Sequence, residues 1–84
     1  MNNRVMQSYV WYEGKCFSVS TINRRSSAMM NSPSEYAETM VWYYDYEKRE
    51  CGAQVFQDED AKDGILTHIN VCKRLHATGN PEVV

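Results

Sequence analysis

The chain has 84 residues, 43% of them hydrophobic and 24% charged, with a formal net charge of -2, a size that sets one small domain over residues 1–84 and buries only about 60 to 65 per cent of the unfolded surface. The acidic balance, with a pI near 5.6, withholds the basic face that a phosphate backbone requires and argues against nucleic acid, and no stretch approaches the ~20 apolar residues of a membrane span. Cys16, Cys51 and Cys72 are odd in number and lack CxxC spacing, which argues against a secreted disulfide framework and against a zinc ribbon; with no leader-like apolar core near the N-terminus, the expectation is a cytoplasmic protein with reduced thiols.

Residues 1–7 are polar and aperiodic and read as a frayed end, with Val5 and Met6 placed to extend the first strand. Residues 8–12 and 16–22 form two alternating runs around Glu13, Gly14 and Lys15, where the glycine supplies the positive φ of a tight hairpin. Phe17, Val19 and Thr21 share one side of the second run, opposite Ser18 and Ser20, which predicts a half-exposed strand near an edge. Residues 23–35, NRRSSAMMNSPSE, then lose all period. They read as a connection longer than a compact domain usually carries, with Met29 and Met30 able to pack it down as a lid.

Residues 36–46, YAETMVWYYDY, are the densest β-branched and aromatic stretch. Alternation sends Ala37, Thr39, Val41 and Tyr43 one way and Met40, Trp42, Tyr44 and Tyr46 the other, so neither face is a water face. Such a strand belongs inside a sheet, and one helix covers only one of its sides. A charged turn over residues 45–50 leads to a fourth strand over residues 53–57, where Val55 and Phe56 point to opposite sides.

The last element is an amphipathic helix, with Ala61, Ile65, His68, Ile69, Cys72, Leu75 and His76 on one face and Lys62, Asp63, Asn70, Lys73 and Arg74 on the other. Asp60 suits its N-cap, and Gly79 followed by Pro81 stops it, leaving residues 80–84 as a tail. Gly64 conflicts with this reading, at about 1 kcal/mol relative to Ala inside a helix. The fold class is α+β: two hairpins in a four-stranded, mainly antiparallel sheet, with the helix across one face. Strand order and the face chosen by the helix stay open.

Chemistry-bearing residues are sparse. His68, Cys72 and His76 follow one another at i, i+4 and i+8, but eight residues of helix rise about 12 Å, so both histidines cannot hold one ion locally. Cys72 in mid-helix lacks the helix N-terminus or Gly-rich turn that would activate a thiol nucleophile. Asp58, Glu59, Asp60 and Asp63 lack the spacing and turn glycine of a calcium loop and read as a solvated first turn of the helix. No catalytic constellation is complete, and the reading is a non-enzymatic protein without metal or cofactor. Asn23, Arg24, Arg25, Ser26 and Ser27 form the best small-ligand candidate, guanidinium forks and hydroxyls suited to a phosphate or carboxylate. Cross-strand pairing of one arginine with a carboxylate such as Glu38 explains them as well.

Trp11, Tyr12, Trp42, Tyr44 and Tyr46 are the expected interface. Tyr and Trp offer a rigid apolar body with a polar tip and are enriched where proteins meet, which predicts a homodimer through the uncovered aromatic face. FSVSTINRRSSA, from Phe17 to Ala28, and YAETMVWYYD, from Tyr36 to Asp45, resemble stretches of short uncharacterised bacterial proteins carried by phages and mobile elements, including integron gene cassettes. The resemblance implies a small cytoplasmic accessory protein, in a class where some members bind host proteins, and supplies no site residues.

Overall fold

The computed structural model describes residues 3–25, 35–61 and 64–82, with side chains at 6–22, 37–58 and 64–82. Four strands, β1 (Asn3–Tyr12), β2 (Lys15–Arg25), β3 (Glu35–Asp45) and β4 (Glu50–Ala61), precede one helix, α1 (Gly64–Thr78). The sheet is an antiparallel meander in the order β1-β2-β3-β4, and the helix packs across β1, β2 and β3, which gives the expected α+β architecture.

Local chemistry accounts for both hairpins. Tyr12 pairs with Lys15 across a two-residue loop in which Glu13 and Gly14 have φ of 47° and 80°, the pair of left-handed residues whose twist matches the flanking strands. In the second hairpin Asp45 pairs with Glu50, and Asp45 Oδ1 accepts hydrogen bonds from the backbone N–H groups of Glu47 and Lys48, each at 3.1 Å. This side-chain mimic of a backbone turn fixes the loop.

Several expectations are corrected. Residues 3–7 belong to β1 rather than to a frayed end, and β2 continues through Arg25, paired with Glu35. Strand pairing therefore takes up the first part of the supposed long connection. β2 is an inner strand, and its Ser18 and Ser20 are buried. In sheet register each small β2 side chain lies between long ones on β1 and β3: Ser18 between Tyr9 and Trp42, Ser20 between Gln7 and Met40. Long neighbours shield short residues that alternation alone assigns to solvent. Asp60 lies in β4 rather than at the start of the helix; the strand runs on because β3 extends to Glu35 and pairs Ala37 with Ala61. A register shift beside Trp42 leaves Val55 without a counterpart, so Val55 and Phe56 both pack against the core instead of diverging.

The core lies between α1 and the covered face of the sheet. Phe17, Val19, Val41, Val71 and Leu75 form its buried centre. The helix buries His68, Val71 and Leu75, whereas Ile65, Ile69 and His76 are exposed, which rotates its inward stripe away from the predicted one. Gly64 starts the helix because a Cβ there would sit 2.7 Å from Ala37 Cβ and 3.1 Å from Thr21 Cγ2. The propensity conflict is thus a close-approach requirement between helix and sheet. At the other end Gly79, with φ of 74°, donates its N–H to the Leu75 carbonyl at 2.8 Å, the left-handed stop predicted for this position.

Candidate functional site

Two features stand apart from ordinary packing, one on each face of the sheet. On the covered face a hydrogen-bonded chain crosses the core. Ser8 Oγ lies 2.9 Å from His68 Nε2, Thr21 Oγ1 lies 2.8 Å from His68 Nδ1, and the Thr21 and Thr39 hydroxyls are 2.7 Å apart. His68, Thr21 and Thr39 are each at most 1% exposed. Either neutral tautomer of the ring is satisfied, because each hydroxyl can donate or accept as its neighbour requires. Burial pushes the imidazole pKa below its ordinary value.

Cys72, one turn after His68, has its thiol pushed up by burial, while its contact with the Ser8 hydroxyl lowers it. His76, a further turn on, is exposed. The three helix residues therefore do not converge, and both ring nitrogens of His68 are already engaged by hydroxyls. Among the described residues no group of three or more His, Cys, Asp or Glu side chains gathers at one point.

On the open face the aromatics of β1 and β3 meet above the small residues of β2. Tyr9 and Tyr44 have ring centroids 4.7 Å apart, Trp11 and Tyr46 5.6 Å, and Tyr44 and Tyr46 6.3 Å. Tyr9 and Trp11 are about half exposed and Tyr46 more than half, whereas Trp42 and Tyr44 are half-buried. Further along this face the groups are polar: Gln7 Nε2 donates to Ser18 Oγ at 2.9 Å, and Gln57 Nε2 donates to Glu38 Oε2 at 2.6 Å. Glu38 is buried even though no helix covers it.

Of the five expected interface aromatics, Trp11, Trp42, Tyr44 and Tyr46 gather here. Tyr12 does not. It packs against the core, with its ring 2.5 Å from where a Cβ on Gly79 would lie. Tyr9 belongs to the group and was missed, although its spacing of two from Trp11 is the signal that both share a face.

Asn23, Arg24 and Arg25 lie in β2 opposite Ala37, Tyr36 and Glu35. Ser26 and Ser27, like Met29 and Met30, fall outside the described residues, as do the side chains of the two arginines.

Where the two hairpin turns approach one another, an open cleft of about 620 Å³ adjoins Trp11, Tyr44 and Tyr46. Cys16, at its margin, is buried, and burial raises its thiol pKa. No helix among the described residues is long and apolar enough to cross a membrane. Comparison of the chain with family models, curated proteins and solved structures gives no match.

Proposed function

We propose that this chain is a non-enzymatic protein-binding module that pairs with a second copy of itself through the open aromatic face. The observation that carries the reading is that Tyr9, Trp11 and Tyr46 stay 48%, 47% and 57% exposed on the face that the helix leaves uncovered. Strands of this length and number span roughly 35 by 19 Å, on the order of 600 Å² of face. A standard complex buries about 800 Å² per partner, so the whole of the face would be needed, with its centre over Tyr9 and Trp42. Self-pairing also suits the composition of the surface, because the aromatic rings are flanked by glutamines and hydroxyls and the carboxylate among them, Glu38, is already buried and hydrogen-bonded to Gln57.

The helix offers a rival surface in Ile65, Leu66 and Ile69, exposed at 54%, 55% and 38%. Sedimentation equilibrium separates the two. The expected result is a dimer for the parent chain and for Ile65→Glu, and a monomer for Trp42→Glu and Tyr44→Glu. A dimer that survives both sheet substitutions but is lost in Ile65→Glu sinks the reading.

A further inference from the structure

From the outer edge of β1 we infer a second contact between copies of this chain, in which two β1 strands pair antiparallel along residues 6–12 and join their sheets edge to edge. The sheet ends in β1 on one side and in β4 on the other, and an end strand presents backbone N–H and C=O groups that template another strand. Among the described residues no strand pairs with the outer side of β1. The two edges are built differently. β4 is guarded: its pairing with β3 shifts register in three places, and its middle is flanked by Glu50 at one end and by Asp58, Glu59 and Asp60 at the other. Set antiparallel to its own copy, β4 would place acidic positions opposite one another, and its bulges spoil a flat match. Over residues 6–12, MQSYVWY, β1 has neither device. The run holds no charged residue and no proline, and the one register shift of β1 lies before it, between Arg4 and Met6.

Backbone geometry sets the register. Tyr12 and Lys15 close the first hairpin, so alternation along the ladder turns the N–H groups of Tyr12, Val10 and Ser8 toward β2 and those of Trp11, Tyr9 and Gln7 outward. A two-fold axis through Tyr9 sets Gln7 against the copy's Trp11 and Met6 against the copy's Tyr12, uses the whole uncharged run and opposes no like charges. The helix adds to the same seam. Cys72 touches Ser8 of β1, and Ile65 and Ile69, seven and three residues before Cys72, share its side of the helix. Their exposure, 54% and 38%, therefore lies on the β1 side, where a copy paired along β1 brings its own helix.

The contact is small. Residues 6–12, at about 3.4 Å each and with a sheet thickness of about 10 Å, offer on the order of 240 Å² per copy, well under the open face. It goes beyond pairing through the rings, because it uses backbone groups at the edge and the side of the helix, and it builds an assembly larger than the open-face dimer.

Sedimentation equilibrium over a wide concentration range tests it. The parent is expected to pass from two copies at low concentration to four or more at high concentration. Gln7→Pro, which removes one outward N–H, and Ile65→Glu should both halt at two, whereas Gln7→Ala, which keeps the N–H, should follow the parent. Amide exchange of Tyr9 and Trp11 should slow about tenfold as the larger species forms. Circular dichroism checks that each variant is folded. Should the open face not pair, the edge contact stands by itself as a dimer that survives Trp42→Glu and is lost in Gln7→Pro. The inference is overturned by a parent that never exceeds two copies while Trp42→Glu is monomeric, by a larger species that the folded Gln7→Pro and Ile65→Glu variants leave intact, or by exchange of Tyr9 and Trp11 that stays constant as the larger species forms.

Discussion

The covered face of the sheet joins its polar groups into one chain, from Ser8 through His68 and Thr21 to Thr39, whereas the open face keeps its polar groups in local contacts beside aromatic rings. The difference teaches where this molecule is intolerant. Beneath the helix no buried side-chain polar atom among the described residues lacks a partner, so each member depends on the others. On the open face the rings of Tyr9, Trp11 and Tyr46 remain partly in water and can be exchanged without stranding a buried group.

The sharpest way to break this contrast is to remove a core side chain. Leu75→Ala, at a site with no exposure, is expected to cost about 2 to 5 kcal/mol through lost burial and the cavity left behind. Urea denaturation checks this, and a loss near zero would mean that the helix is not docked as described.

Acid should act more gradually. The folded His68 has a depressed pKa, so as pH falls below about 6.5 the unfolded chain takes up a proton before the folded one does, and folding weakens. The loss proceeds by up to about 1.4 kcal/mol per pH unit and levels off once pH has passed the folded pKa. Above the unfolded pKa the penalty vanishes. Denaturation midpoints across this range should therefore rise with pH in the parent, and His68→Gln should flatten that part of the profile; an unchanged slope in the variant would contradict the assignment.

The smallest effect belongs to the open face. Tyr46→Ser, at 57% exposure, should change the stability of the monomer by only about 0.5 kcal/mol. Denaturation of a protein dilute enough to be monomeric measures it. A loss as large as that of Leu75→Ala would erase the distinction between the faces.

Much of the architecture was legible because it is local. The Gly14 turn, the Gly79 stop and the alternation of residues 36–46 are each specified within a few residues. What escaped depends on partners distant in sequence. Ser18 and Ser20 alternate like surface residues, and only the register that sets Tyr9, Gln7, Trp42 and Met40 beside them makes them buried. Val71 was not assigned to the inward stripe of the helix, because Ile65 and Ile69 outweigh it in hydrophobicity while the contact of Gly64 with Ala37 and Thr21 helps set how the helix lies. The candidate site divided in the same way. Its aromatics were readable from the spacing in β1 and β3, but a cleft between two turns exists only once both hairpins lie in one sheet.

Strand order that follows chain order has a kinetic consequence. Each strand pairs with the segment just before it in the chain, so every pairing in the sheet is a hairpin closure that costs little loop entropy. The contact of Ser8 with His68 closes across 60 residues and waits on the last element. Until the helix arrives, the half-formed molecule presents two unsheltered faces. Hydroxyl-bearing Ser8, Thr21 and Thr39 on the face to be covered keep that interval wet and lessen the pull toward sticking to other chains.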